Sequence, residues 1–379
     1  MKIALLTTDS REHFKDYVNP SPYFGTAPQA LLEGFASLPG IEVHVISCLQ
    51  QAVRSPEKLA PNIWYHDLIV PKIGWLRSGY SGCITGVRRI LKKIRPDIVH
   101  GQGTERDCAL SAVFSGFPNL LTIHGNMRRI AEVNHARPFS FAWLTALIES
   151  FTLPRTEGVI CLSSHTRDAV SGLARRTWLL PNAVDSSFFG APRDPSGVPI
   201  ILCVGVVCHH KNQNRLIQAL DSLAASRAFR LVFIGGTNKE PYSDEFRQLV
   251  AHRPWCEYGG MAARPELREW FGRATLVALP SLEENCPMVV LESMAVGVPV
   301  VAAKVGGVPD LVEDRVTGIL CDPHDPASMA GAVATVLEDP ALAATIAAHA
   351  RHQAHRRFYP TVVAERHLEI YRELLSTSA

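Results

Sequence analysis

The sequence predicts an α/β protein made of two domains, each a parallel sheet covered by helices on both faces. Three observations carry this prediction. Short apolar runs rich in Val, Ile and Leu alternate with longer segments of helical period, as strands buried on both faces require. The series occurs twice, with a break between. At roughly 100–200 residues per domain, a chain of 379 residues that is 47% hydrophobic holds two cores.

The first series of strands is expected at Lys2–Thr7, Glu42–Ser47, Asp97–His100, Leu120–His124, Val159–Leu162 and Thr177–Leu180. The second is expected at Pro199–Gly205, Arg230–Ile234, Thr275–Leu279, Val298–Ala303 and Gly318–Cys321. Alternation with helices predicts parallel sheets with right-handed crossovers. Between the series, Pro181 to Pro199 is rich in Pro, Gly, Asn and Asp, a linker composition, so the boundary is placed near residue 190. Pro326 to Leu375 reads as helices, interrupted at Phe358-Tyr359-Pro360, because proline cannot continue a helix but suits the first turn of the next.

Composition narrows the function. A formal charge of +2 gives no general attraction for nucleic acid. Nine scattered cysteines without a CxxC pair point to a reducing compartment. The apolar run at Ile3–Leu6 is too short for a signal-peptide core, and no run approaches the ~18 apolar residues of a membrane span. A cytoplasmic protein is expected. Val87–Arg95 carries five cations at helical spacing. It reads first as a packed helix with solvated charges, and second as a peripheral contact with an anionic membrane.

In open α/β sheets ligands sit beyond the carboxyl ends of strands, so residues just after the runs matter most. After Thr275–Leu279 comes Pro280-Ser281-Leu282-Glu283-Glu284-Asn285-Cys286-Pro287-Met288-Val289, a loop entering a helix. Pro287 suits its first turn, Asn285 or Cys286 its cap, and Gly297 its end. Glu284 in the loop and Glu292 on the second turn can then share one spot near the helix N-terminus. Carboxylates there accept hydrogen bonds from hydroxyls, and exposed amides suit an anion. After Pro199–Gly205 comes Val206-Val207-Cys208-His209-His210-Lys211, placing a cation beside a strand end. Cys208-His209-His210, with Cys203 nearby, matches no common zinc spacing. In the first half, Gly25 precedes a helix that Thr26 would cap, with Pro28 in its first turn, and His124-Gly125-Asn126 follows a strand end. His100, before Gly101-Gln102-Gly103, is similarly placed. Gly101-x-Gly103 lacks the third glycine of a dinucleotide fingerprint.

Two glutamates separated by seven residues, then a small-residue helix, Gly297-Val298-Pro299-Val300 and Val305-Gly306-Gly307-Val308-Pro309-Asp310-Leu311-Val312, resemble the retaining glycosyltransferases of family four (glycosyltransferase group 1). The resemblance covers nearly the whole chain and is strongest from Val204 to Asp322. It implies the GT-B fold, two Rossmann-like α/β/α domains with a deep cleft between them. Residues 1–190 would be the acceptor side, with 360–379 packing back on it, and 191–359 the donor side. It implies transfer of a hexose-type sugar from a UDP-, GDP- or ADP-sugar to a glycan, lipid-linked or small-molecule acceptor, with retention, no cofactor and no metal.

Residue by residue, the resemblance places Glu284 on the donor sugar, Glu292 on the ribose, and Gly205, Asn285, Cys286, Pro287, Met288 and Val289 along the donor. It places Lys211 on the diphosphate, Gly25 in the loop over the phosphates, and His124 near the transferred sugar. The chain departs from the pattern in three places. Val206 stands where an Arg is usual, leaving His209, His210 or backbone amides to supply that cation. Asn285-Cys286 replaces a Gly-Phe-Gly-like string, and Gly25 stands alone where a glycine pair is common. A nucleotide-sugar epimerase of similar fold and a non-catalytic sugar-nucleotide binder are the alternative readings.

Overall fold

Alternate side chains of one strand show how the first core is divided. Ile3 and Leu5 face one layer of helices, while Ala4 and Leu6 face the other, and all four are buried. The computed structural model describes residues 1–133 and 135–377. Residues 378 and 379 of the expected C-terminal segment lie outside the described residues.

The first unit comprises Met1–Ala183 and the C-terminal helix Pro360–Thr377. Its sheet contains β1 (Lys2–Leu6), β2 (Glu42–Leu49), β3 (Lys58–Ala60), β4 (Ile63–Ile69), β5 (Ile98–Gln102), β6 (Asn119–Ile123), β7 (Gly158–Cys161) and β8 (Thr177–Leu179). The order is β3-β4-β2-β1-β5-β6-β7-β8, and only the β3–β4 pair is antiparallel. Helices Thr26–Ala36 and Pro360–Thr377 cover one face through Leu31, Phe35, Val363, Tyr371 and Leu374. Helices Ser81–Ile94 and Asp107–Val113 cover the other through Val87, Leu91, Ala109 and Ala112. The two helices on the first face cross at a glycine. A Cβ on Gly34 would lie 2.1 Å from the Pro360 carbonyl oxygen, so only glycine permits this approach.

The second unit is Val184–Tyr359. Its strands are β9 (Ile200–Val204), β10 (Arg230–Ile234), β11 (Cys256–Gly260), β12 (Leu276–Leu279), β13 (Val300–Ala303) and β14 (Ile319–Cys321). The order is β11-β10-β9-β12-β13-β14, all parallel. The order reverses between β9 and β12, which makes the carboxyl ends of these two strands a topological switch point.

Eleven strands coincide with the expected runs to within a few residues at each end. β3, β4 and β11 were not anticipated, for physical reasons. β4 mixes the half-buried Trp64, His66 and Asp67 with its buried Ile63 and Tyr65. β11 is a half-exposed edge strand containing Glu257 and two glycines.

The boundary falls after Ala183, earlier than residue 190. Apolar anchors inside the linker-like stretch draw it onto the second unit. Phe188 packs edge-on against Phe271 at 5.6 Å, Phe189 packs against Tyr359 at 5.0 Å, and Val184 donates its amide to the Phe358 carbonyl. The C-terminal helical region breaks at Asp339-Pro340 as well as before Pro360, and the Asp339 carboxylate caps the Leu342 amide.

The basic segment lies in the helix Ser81–Ile94, which buries Cys83, Gly86, Val87 and Leu91 and leaves Arg88, Arg89, Lys92 and Lys93 exposed. This matches the packed-helix reading. Among the described residues no single helix is long and apolar enough to cross a membrane.

Candidate active site

The loops after β9 and β12 meet at the switch point of the second unit. The first runs through Gly205 into a short 3₁₀ turn at His209–Lys211, then Asn212 and the helix Gln213–Ala219. The second runs from Pro280 to Pro287. They are joined by main-chain and side-chain bonds. The Leu282 amide donates to the His210 carbonyl at 2.7 Å. The buried Asn212 amide group donates to the carbonyls of Pro280 and Pro323, both at 3.1 Å.

This bracing brings Lys211 and Glu284 together, 73 residues apart in sequence. The Lys211 Nζ donates to Glu284 Oε1 at 2.5 Å, and the same oxygen accepts from the Ser281 hydroxyl at 2.7 Å. Glu284 is 9% exposed and the Lys211 side chain 25%. The cation therefore reaches solvent from a carboxylate that is nearly buried. The Glu284 main chain is fixed from behind. Its carbonyl accepts the Gly307 amide at 2.9 Å, and a Cβ on Gly306 would lie 1.9 Å from that carbonyl oxygen at φ +49°. The Gly306-Gly307 pair thus works as a brace for the glutamate loop.

The helix begins at Met288, with Pro287 rather than Asn285 or Cys286 in the cap position and no side-chain cap, and Gly297 ends it in the left-handed conformation. This corrects the expected cap. Pro287 has φ −67° but ψ 114°, so the helical ψ starts one residue later. Cys286, Pro287 and Val289 are buried, and Asn285 and Met288 half-buried, around this helix start.

Glu292, on the second turn, is 2% exposed. Its Oε1 accepts from Arg264 Nη1 at 2.7 Å, and the Arg264 guanidinium lies 4.5 Å from the Phe188 ring. Burial raises the Glu292 carboxyl above its ordinary value, the Arg264 charge and hydrogen bond oppose this, and Asp185 adds to the rise. Sequence reasoning missed Arg264, because it reaches Glu292 from the first residue of another helix, Arg264–Arg273.

Val206 is 46% exposed and adds no charge. His210 does not replace the missing cation. Partial burial and the Lys211 charge push its imidazolium below the ordinary value, and its ring lies 3.3 Å from the Cys208 sulfur. Cys203, considered with these residues as a metal ligand, is buried within β9.

Gly25, at φ +85°, is the N-cap of the helix Thr26–Ala36, where the sequence reading gave that place to Thr26. His124 follows β6, and its Nε2 lies 2.8 Å from Gln102 Oε1. A carbonyl oxygen only accepts, so this bond places the proton on Nε2 and makes Nδ1 the ring's acceptor. Burial pushes the His124 imidazolium down to about 4, so the ring is neutral at physiological pH.

His100 is fully buried and bonds Tyr371 and Thr122, both at 2.7 Å. It ties the C-terminal helix to the sheet rather than facing a ligand. Gln102 joins the two histidines, with its Nε2 3.2 Å from His100 Nε2.

Two doubly wound parallel sheets with a polar site at the β9–β12 switch point define an α/β protein of the GT-B class. Sequence models agree. Residues 29–188 match the glycosyltransferase family 4 model and residues 186–353 match the glycosyl transferases group 1 model. The chain belongs to this glycosyltransferase family.

It is 33% identical over 236 residues to a D-inositol 3-phosphate glycosyltransferase of Xylanimonas cellulosilytica, a match spanning 55% of this chain and 56% of that relative. Its fold matches the sucrose-phosphate synthase of Thermosynechococcus elongatus over all of both chains, with a TM-score of 0.79 at 21% identity. It also matches Anabaena HepE, solved in complex with UDP-glucose, over all of both chains, with a TM-score of 0.70 at 20% identity.

Proposed function

We propose that this protein is a retaining glycosyltransferase that takes a hexose from a nucleotide diphosphate sugar, with UDP-glucose-type donors favoured, and passes it to a hydroxyl acceptor. The observation that carries this reading is the Lys211–Glu284 pair, anchored at the switch point beside an uncapped helix start and the Arg264–Glu292 pair. Lys211 holds the diphosphate, Glu284 the sugar hydroxyls and Glu292 the ribose. Gly205, Asn285, Cys286, Pro287, Met288 and Val289 line the donor. Gly25 and His124, on the other unit, enter through the family resemblance, Gly25 toward the phosphates and His124 near the transferred sugar, its Nδ1 accepting a hydrogen bond from a hydroxyl. HepE, a relative in fold, is solved with UDP-glucose, which favours uridine over other bases.

In this reading the bond from the anomeric carbon to the phosphate oxygen breaks first, and negative charge gathers on the leaving diphosphate. Lys211 stabilises that charge, a role that needs no metal ion. The acceptor oxygen then bonds to the anomeric carbon on the same face, and its proton passes to the departing phosphate. The acceptor is a glycan, lipid-linked sugar or small molecule.

The test is a thermal-shift screen of nucleotide sugars followed by transfer assays. A true donor raises the melting point with dose. Lys211→Ala and Glu284→Ala each abolish transfer while the chain still folds. Near-normal turnover in both variants rejects the assignment.

A further inference from the structure

Of the nine cysteines, Cys108, Cys161, Cys203, Cys256 and Cys321 sit singly in strands or helices, and Cys208 and Cys286 lie in the loops after β9 and β12. The other two come together. Cys48 near the end of β2, Cys83 on the helix Ser81–Ile94 and Asp107 at the start of the next helix come from three elements of the first unit. Their sulfur, sulfur and carboxylate oxygen atoms all lie within 4.8 Å of one another. All three residues are buried, Cys83 completely. Asp107 forms no ion pair among the described residues. The Cys83 thiol donates to the Gly74 carbonyl at 3.8 Å, and the Cys48 sulfur and an Asp107 carboxyl oxygen lie beside it. Two thiols and a carboxyl from three separate elements thus bring three ligand atoms to one point in the core.

We infer that Cys48, Cys83 and Asp107 form a binding site for a thiophilic divalent cation of the zinc class, separate from the proposed sugar-transfer chemistry. Two sulfurs and one carboxylate oxygen suit such an ion, which holds sulfur at about 2.3 Å and oxygen at about 2.0–2.2 Å in a tetrahedron. Ligands at those distances sit roughly 3.5–3.8 Å apart, so atoms that lie within 4.8 Å of one another draw in by at most about 1 Å on binding. The ion clamps β2 to the helices Ser81–Ile94 and Asp107–Val113.

The test uses the full chain, reduced with a phosphine and stripped with a chelator, then titrated with Co²⁺. One equivalent is expected to give thiolate-to-cobalt charge-transfer absorption and tetrahedral visible bands, both removed by Zn²⁺. Cys48→Ser and Cys83→Ser each lose the signal, whereas Cys208→Ser keeps it. Because the first two variants can lose their fold, the unmutated chain supplies a second reading. Zn²⁺ must protect Cys48 and Cys83 from alkylation in mild denaturant while Cys208 remains reactive. No thiolate band at one equivalent, a signal that survives in both buried-cysteine variants or disappears with Cys208, or equal alkylation with and without Zn²⁺ each overturns the site. Any of these outcomes makes the cluster a hydrogen-bonded piece of core.

Discussion

Two strand-end clusters, one in each sheet, hold opposite kinds of chemistry. At β9 and β12 the side chains are charged and paired, Lys211 with Glu284 and Arg264 with Glu292. At β5 and β6 they are neutral. Gln102 links His100 to His124, Tyr371 and His367 lie behind them, and burial is the largest cause holding all three imidazoles below their ordinary value. In the second unit an opposite charge within hydrogen-bond distance offsets desolvation. In the first, burial is the largest cause and leaves each ring neutral near pH 7. The same strand-end architecture thus presents ion pairs in one unit and neutral hydrogen-bonding rings in the other.

The largest break in this contrast comes from a residue that carries no charge. Gly306→Ala drives a Cβ into the Glu284 carbonyl, against backbone that cannot rotate away. Transfer is expected to fall about 10²–10³-fold, the scale of losing one preorganised donor at a developing charge. Melting temperature should move little by comparison. Steady-state kinetics beside a thermal scan check this, and activity within a few-fold of the parent shows that the brace is dispensable.

The neutral cluster predicts acid sensitivity of definite sign. His367 is pushed down to about 4 in the fold, against an ordinary value near 6.5. Between those two values the unfolded chain binds a proton that the folded chain refuses. Stability is therefore full above about pH 6.5 and is lost as pH falls toward 4, by on the order of 3 kcal/mol for this one residue. His367→Leu removes that loss. Denaturant unfolding at several pH values should show the variant gaining on the parent as pH drops, and a constant gap contradicts the account.

Arg264 sharpens the same contrast on the charged side. Arg264→Met leaves Glu292 buried without its cation, which raises a carboxyl already above its ordinary value. At lower pH more of it is protonated, and its grip on ribose hydroxyls weakens. The KM for donor should rise as pH falls and recover at high pH, by at most about tenfold for each unit by which losing the cation raises the carboxyl. kcat changes less, and Arg264→Lys restores a flat profile. Parallel pH profiles for the parent and Arg264→Met assign Arg264 to packing alone.

What could be read from sequence follows from the range of the interactions. Strands buried on both faces announce themselves through continuous Val, Ile and Leu, so β1, β9, β12 and β13 were legible. β4 and β11 were not, because edge and half-exposed strands mix polar residues and glycine with apolar ones. Glu284, Glu292 and Lys211 were legible from local strings. Their partners were not, since Ser281 is unremarkable beside a loop and Arg264 arrives from another helix. The cysteine–aspartate cluster escaped for the same reason: its members are scattered over three elements, and no spacing rule connects them.

The smallest expected effect tests whether the charged side of the contrast is complete. Val206 follows β9, stands where the family resemblance implies an Arg, and is 46% exposed, so a longer side chain meets no packed core. His210 is held toward neutrality by its surroundings. Lys211 therefore carries the positive charge of this turn. Val206→Arg adds a second cation that can bond a diphosphate through two N–H groups. Because the position is solvent-screened, the gain is limited to roughly 1 kcal/mol or less, a lowering of donor KM of a few-fold that shrinks as salt is added. Isothermal titration with the donor at two ionic strengths measures it. Unchanged affinity at low salt means that the diphosphate lies out of reach of residue 206, and that the usual Arg has been relocated rather than lost.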